Sequence, residues 1–179
     1  GNEVGSPVAS LMENLREVLE QESNEYEGLL SLSQKKTTSI VGGNLEELQK
    51  ITDDEQELVS RISHLEKKRT ETTADIANVL NKDVKSLKLV NLIEMLAARP
   101  AEQQKLADAH DRLQVSVREL QRINEQNREL LANALEMVEF EMNLLQASKA
   151  APEMANYTKG AYSTGETMGV FSRGFDAKQ

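Results

Sequence analysis

The fold of this chain is decided by residues 106–145, which read LADAHDRLQVSVRELQRINEQNRELLANALEMVEFEMNLL. Positions spaced alternately by four and three residues are mostly apolar here, and together they form a seam: Leu106, His110, Leu113, Val117, Leu120, Asn124, Asn127, Leu131, Ala134, Val138, Glu141 and Leu145. A strand would alternate every second residue, and a membrane-spanning helix would be apolar all round. The spacing therefore predicts one long α-helix that packs on neighbouring helices at coiled-coil-like angles, which leaves little room for an active site.

Two earlier stretches carry the same spacing. The first stripe is Val8, Met12, Leu15, Leu19, Glu22, Tyr26 and Leu29. The second stripe is Leu48, Ile51, Glu55, Leu58, Ile62, Leu65, Arg69, Thr72, Ile76 and Val79. Each stripe predicts a helix with one apolar face, so we expect two further long helices.

Local signals mark where these helices begin and end. Ser6–Pro7 is typical of an N-cap residue followed by the first residue of a helix. Gly42–Gly43 predicts the end of the first helix, and Asn44 with Glu47 predicts a capping-box variant at the start of the second. Arg99–Pro100 predicts a break followed by the start of the longest helix.

We therefore expect an all-α fold, an antiparallel bundle of three long helices with coiled-coil-like packing. The apolar segment 84–98 predicts one short connecting helix. Residues 1–148 are assigned to the helical bundle, and residues 149–179 to an irregular C-terminal tail. The last helix should be about 70 Å long against about 50 Å for each of the first two, so its end should project or fold against the remaining chain.

The tail has a different composition from the bundle. Its periodicity is absent and glycines return, yet it holds four of the six aromatic residues, namely Tyr157, Tyr162, Phe171 and Phe175. A flexible linker gains nothing from aromatic side chains. We predict that these four form a recognition segment for a partner, and the alternative is that they hold the tail on its own bundle.

Composition excludes several classes of function. The formal net charge of −9 argues against nucleic-acid binding, because phosphates require a basic surface. The absence of cysteine excludes disulfides and thiolate chemistry and fits a reducing compartment. No apolar run reaches membrane length and no signal-peptide pattern opens the chain, so we expect no stable membrane insertion. Because the chain opens on Gly1 and not on methionine, we expect a trimmed or artificial end there.

No catalytic constellation is present. His64 and His110 lie on predicted helices without a second ligand at i, i+4 spacing, and structural histidines are the commoner case. Residues 53–55 are acidic, but consecutive helical residues point in different directions, which favours a solvated surface over a cation site. Neither a phosphate-binding glycine loop nor a nucleophile elbow occurs. We predict no enzymatic activity, no cofactor and no metal.

Several polar residues interrupt the apolar stripes, and four of them carry predictions about packing. Asn124 and Asn127 share one face of the longest helix, and a buried amide is costly unless it is hydrogen-bonded. We predict that both are mostly buried and form interhelical hydrogen bonds that set the helix register. Glu55 and Arg69 lie on the second stripe about 21 Å apart, too far to pair with each other, and we expect both to snorkel at the edge of the bundle.

The end of the longest helix is predicted to bind a partner. A second apolar stripe, which we call the predicted stripe, is displaced by one position from Ala134 and Glu141 and broadens the apolar face. It consists of Leu131, Leu135, Val138, Met142 and Leu145. A face broader than two neighbouring helices can cover indicates a surface kept for a partner.

Several of these motifs resemble one known family in their order and separation. IVGGNLEEL at residues 40–48, followed by Glu55 and Arg69, is similar to the first half of FlgN-type flagellar export chaperones. So is LQRINEQNRELL at residues 120–131, with its N-x-x-N-x-x-x-L pattern, and the tail at residues 157–160 looks like the C-terminus of that family. The first ten residues match nothing characteristic of the family.

The resemblance implies a cytoplasmic chaperone of flagellar assembly. Such a protein binds the C-terminal segments of the hook–filament junction proteins FlgK and FlgL and delivers them to the type III export gate, with no cofactor. An amphipathic client helix can be covered by a groove on a helical bundle, so the physics agrees with this function. The alternative is a structural coiled-coil adaptor or homodimeric scaffold without a chaperone role, and the pattern leaves the oligomeric state open.

Overall fold

The structure is a computed structural model that describes residues 6–149. Every regular element within this range is helical and no strand occurs there, so the predicted all-α class is confirmed. The predicted tail lies outside the described residues, apart from Lys149. The elements are α1 (Ser6–Gly42), α2 (Leu45–Leu80), a 3-10 turn (Val84–Ser86), α3 (Leu89–Glu94) and α4 (Pro100–Ser148).

The chain divides into two compact units, and each long helix contributes residues to both. Unit 1 comprises Gly1–Leu29 and Asp54–Arg118, and unit 2 comprises Leu30–Asp53 and Glu119–Gln179.

Unit 1 has a mainly apolar core and contains α3. In this unit α1 runs antiparallel to α2, because Glu22 pairs with Arg69 whereas Glu25, further along α1, pairs with the earlier Arg61. The large apolar side chains that are almost completely buried in this unit are Leu15, Leu19, Ile76, Leu92, Leu96 and Leu106.

Unit 2 combines apolar and polar buried side chains. Here α4 runs parallel to α1, because Ser33 bonds Asn124 and the later Thr37 bonds Asn127. The buried apolar side chains of this unit are Ile40, Leu48, Ile51, Leu120, Ile123 and Met142. The buried polar ones are Ser33, Lys36, Ser39, Thr52 and Asn127.

The turn between α1 and α2 follows the predicted chemistry. Gly43 adopts a left-handed φ of 66°, and the N–H of Asn44 donates to the Ser39 carbonyl at 3.0 Å, which closes a Schellman-type end to α1. The Asn44 side-chain oxygen then accepts from the N–H of Glu47 at 3.1 Å. This confirms Asn44 as the N-cap of α2, although the Glu47 carboxylate takes its hydrogen bond from the Asn44 side-chain amide.

The connecting segment is more broken than the sequence predicts. The predicted short connecting helix is present as α3, but it is shorter than the apolar segment 84–98. The Asp83 side chain accepts from the N–H of Lys85 at 3.1 Å and starts a 3-10 turn, after which α3 forms only over Leu89–Glu94. A local side-chain acceptor competes with helical hydrogen bonding in this way. Pro100 begins α4 as predicted, with Arg99 supplying the first carbonyl acceptor.

The charged residues of the second stripe do not both snorkel. Glu55 is only 3% exposed, so the prediction that it lies at the edge of the bundle is wrong. Arg69 is partly exposed, but its guanidinium Nη1 lies 3.4 Å from Oε2 of Glu22, a side chain buried on α1. Arg69 therefore neutralises a buried carboxylate on the neighbouring helix, and the sequence of α2 alone does not predict this role.

Gly28 in the middle of α1 packs near Leu58 without requiring a glycine. A Cβ atom added there would lie 3.6 Å from the nearest Leu58 methyl, which is ordinary van der Waals contact. We therefore expect Gly28→Ala to raise the free energy of unfolding by about 0.5–1 kcal/mol, because alanine is the better helix former. Chemical denaturation followed by circular dichroism measures this, and a lower stability would show that α1 and α2 need the glycine to approach.

Candidate functional site

The last turns of α4 extend past the end of α1 in unit 2. Thr37 of α1 bonds Asn127 of α4, and the parallel helix α1 ends at Gly42, five residues later. The matching level on α4 is about residue 132, so roughly 24 Å of helix remain up to Ser148 at 1.5 Å per residue. Most of the predicted partner surface lies in this distal part of α4.

The five residues of the predicted stripe differ in exposure. Leu131, Leu135 and Val138 are half-buried. Met142 is buried, with 9% of its surface exposed, whereas Leu145 is 48% exposed. The structure thus brings these residues onto one side of α4, and Leu145 is the most exposed of the five.

A second apolar surface on the same part of α4 is far more exposed. Met137, Phe140 and Leu144 are 62%, 61% and 56% exposed, respectively. Their i, i+3, i+7 spacing places them on one face, which we call the distal stripe, turned by roughly 150° from the predicted stripe. Three large apolar side chains exposed in a row are unusual on a helix surface and indicate a binding surface.

The 4-3 spacing did not identify the distal stripe, although its apolar residues are visible in the sequence. Phe140 is an aromatic residue beside the seam, and Met137 and Leu144 lie within one turn of it on either side. Apolar residues on two faces of one helix cannot all point into the same core. The periodicity placed the predicted partner surface on a face of α4 that is more covered than the distal stripe.

A polar layer joins α1 to α4 immediately before the distal part. Asn127 is 2% exposed, donates to the backbone carbonyl of Ser33 at 2.9 Å, and accepts from the hydroxyl of Thr37. Asn124 is half-buried and accepts from the hydroxyl of Ser33 at 3.2 Å. Both amides hold α4 in register with α1 in unit 2, because a shift by one turn would separate these partners.

A second polar group lies between α1 and α2 in unit 1. Besides the Glu22–Arg69 ion pair, the Tyr26 hydroxyl donates to Glu66 at 3.1 Å. Burial, followed by the charge of Glu66, raises the pKa of Tyr26 well above its ordinary value. The phenol therefore stays protonated as a hydrogen-bond donor, and this cluster has a packing role.

The described residues carry no arrangement that indicates chemistry. Within residues 6–149, no group of three or more His, Cys, Asp or Glu side chains is placed to hold a metal ion. His110 Nδ1 lies 3.3 Å from the carboxylate of the adjacent Asp111. No helix in this range is long and apolar enough to cross a membrane.

A helical fold with an exposed apolar stripe near the end of its longest helix is typical of protein-binding modules. The sequence model of the FlgN protein family matches residues 11–164, which is most of the chain. The chain therefore belongs to the FlgN family, a family of flagellar export chaperones.

One curated protein is similar to this chain. The protein YvyG of Bacillus subtilis (strain 168), itself described as uncharacterized, is 27% identical over 122 residues, which cover 67% of this chain and 71% of that protein. No solved structure matches the chain.

Proposed function

We propose that this protein is a cytoplasmic chaperone of flagellar type III export. It binds the C-terminal helical segments of hook–filament junction proteins, of the FlgK and FlgL kind, and delivers them to the export gate. Membership of the FlgN family supports this proposal. The exposed distal stripe supports it independently, because a chaperone must offer apolar surface to a client without performing chemistry on it.

The arrangement of the long helices in this proposal is a single antiparallel bundle of α1, α2 and α4. Its support comes from the α1–α2 pairs of unit 1, which run in opposite directions, and from the α1–α4 pairs of unit 2.

The client is proposed to lie along the distal part of α4. This assignment rests on Met137, Phe140 and Leu144. Three large apolar side chains exposed together on one helix face indicate a surface that a partner covers. Leu145, 48% exposed, is the most exposed member of the predicted stripe. Because the two stripes lie on nearly opposite faces of α4, one client helix covers the distal stripe alone, and the predicted stripe is proposed as a second contact surface for the client.

The tail is proposed to recognise the client or the export gate through Tyr157, Tyr162, Phe171 and Phe175. All four lie outside the described residues. Their support is compositional, since aromatic side chains supply large contact area at low entropic cost.

Replacing exposed residues of the distal stripe tests the proposed site. Phe140→Ser together with Leu144→Ser should weaken binding of a junction-protein C-terminal segment by at least about tenfold in calorimetry, because apolar anchors at an interface carry most of its binding energy. Buried Met142 is unsuitable for this test, since its replacement would disturb packing. The matched control is Val115→Ser, which removes a 67% exposed apolar side chain elsewhere on α4.

Two results would contradict the assignment. Unchanged affinity of the double variant, with helicity retained, would remove the distal stripe from the site. An equal loss in the Val115→Ser control would show a general loss of folding or solubility.

Truncation after Ser148 tests the proposed role of the tail. If the tail recognises a partner, the truncated chain should lose affinity for the client or the export gate, and its melting temperature should be almost unchanged. If the tail only covers the bundle, truncation should lower the melting temperature by several degrees.

The alternative function is a permanent coiled-coil adaptor or homodimeric scaffold, since an exposed apolar stripe can also join copies of the chain. Light scattering distinguishes the two. A monomer that forms a one-to-one complex with the client segment supports the chaperone, and a stable dimer that Phe140→Ser dissociates supports the scaffold.

A further inference from the structure

We propose that the distal stripe is selective for an amphipathic helix whose apolar face is bordered by lysine and arginine. This inference rests on the proposed function, because it specifies the chemistry of the client segment that the distal part of α4 accepts. It adds a charge requirement to a surface so far described only as apolar.

The charge of the distal part of α4 is entirely negative. Between residues 129 and 148 the helix contains no lysine or arginine, and its acidic residues in that range are Glu129, Glu136, Glu139 and Glu141. All four are exposed, and none forms an ion pair with a described residue. By contrast, earlier on α4 Arg122 pairs with Glu119.

Two of these carboxylates border the distal stripe on opposite sides. Glu136 is four residues before Phe140, and Glu141 is four residues after Met137. Residues four apart are neighbours on a helix surface, so each carboxylate lies beside an apolar side chain of the stripe. At 100° per residue, Glu136 falls on one flank and Glu141 on the other. The residues that border the apolar face of a partner on this stripe must therefore lie close to both Glu136 and Glu141.

A helix is the partner shape that this surface fits. The distal part of α4 offers roughly 24 Å beyond the end of α1, which matches about 16 residues of α-helix at 1.5 Å per residue. Lysine or arginine at the edges of the apolar face of that helix would lie opposite Glu136 and Glu141. Complementary charges of this kind mainly raise the association rate and disfavour partners of the wrong charge, and they contribute less to the affinity itself.

The same charges argue against a second copy of this chain as the occupant. In a symmetric dimer both partners use the same surface, so Glu136 and Glu141 of one copy would approach the equivalent carboxylates of the other. Like charges opposed across an interface are unfavourable. The negative distal part of α4 thus favours a basic partner over self-association.

Designed peptides of about 18 residues test this proposal with the full-length chain. Two peptides share one leucine stripe and differ only in their flanking residues, which are lysine and arginine in one and glutamate in the other. We expect the basic peptide to bind about tenfold more tightly in fluorescence anisotropy at low salt. The difference should shrink in high salt, because exposed charges are screened.

Charge reversal on the chain provides the second arm. Glu136→Lys with Glu141→Lys should remove or invert the preference for the basic peptide. The control Glu57→Lys with Glu71→Lys changes the net charge equally at two exposed positions of α2 and should leave the preference intact.

The outcomes separate this inference from the proposed function. Equal binding of both peptides, lost in Phe140→Ser with Leu144→Ser, would overturn the charge requirement and leave the chaperone site standing. Binding of neither peptide, together with client binding that is indifferent to the distal stripe, would overturn both. Peptide binding that appears only after removal of residues 149–179 would assign the stripe to the tail and overturn the inference. A dimer dissociated by Phe140→Ser would do the same in favour of a second copy.

Discussion

The chain with Arg69 replaced by methionine is expected to unfold with a free energy about 3 kcal/mol lower than the unchanged chain. The cause is the Glu22 carboxylate of α1, which is buried and lies 3.4 Å from the Arg69 guanidinium. Methionine keeps much of the aliphatic stem but removes the charge, and a buried carboxylate that loses its cation is strongly destabilising. Urea denaturation followed by far-UV circular dichroism measures the change.

The matched control is Arg61→Met on the same helix. Arg61 also pairs with α1, with Glu25 at 3.1 Å, but its side chain is 54% exposed. Exposed ion pairs contribute little, so this variant should lose less than about 1 kcal/mol. Adding Glu22→Gln to Arg69→Met should recover part of the loss, because the buried charge is then gone as well. Equal effects of Arg61→Met and Arg69→Met would contradict the importance of the buried carboxylate.

Replacing Asn127 with alanine is expected to lower the free energy of unfolding by about 2 kcal/mol. The side chain is 2% exposed and its two ends bond to different groups of α1, the Thr37 hydroxyl and the Ser33 carbonyl. Alanine removes both hydrogen bonds and leaves a gap among buried groups.

Asn133→Ala is the control for Asn127, since it removes the same side chain from an exposed position of α4. It should change stability by no more than a few tenths of a kcal/mol. Asn124→Ala should fall between the two, because Asn124 is half-buried and a single side-chain bond joins it to Ser33. A change in Asn127→Ala as small as that in Asn133→Ala would show that the polar layer does not stabilise unit 2.

These two predictions concern polar contacts that decide how the helices align. Apolar side chains pack in several registers at similar cost, whereas a hydrogen-bonded amide or a buried ion pair is satisfied in only one. Glu22 with Arg69 acts in this way in unit 1, and Asn127 with Thr37 does so in unit 2. If the distal part of α4 binds a client, this register also sets how much of that helix extends beyond α1.

The sequence by itself determined the helices and most of their ends. Gly42–Gly43, Asn44 and Pro100 act through their own backbone and nearest neighbours, so their effects could be predicted without any knowledge of packing. The family resemblance was equally accessible, because it depends on the order of residues along the chain. Asn124 and Asn127 were singled out for the same reason, as amides that interrupt an apolar seam.

Only the tertiary structure decided which faces of those helices are covered. The contact between Arg69 and Glu22 depends on how far α2 is shifted along α1. The sequence of neither helix predicts that shift. Exposure of Met137, Phe140 and Leu144 depends likewise on which face of α4 lies against α1, since the distal part of α4 is apolar on two faces and these three residues lie on the face turned away from Asn124 and Asn127. Periodicity reports which residues share a face, but burial is set by the neighbour that lies against it.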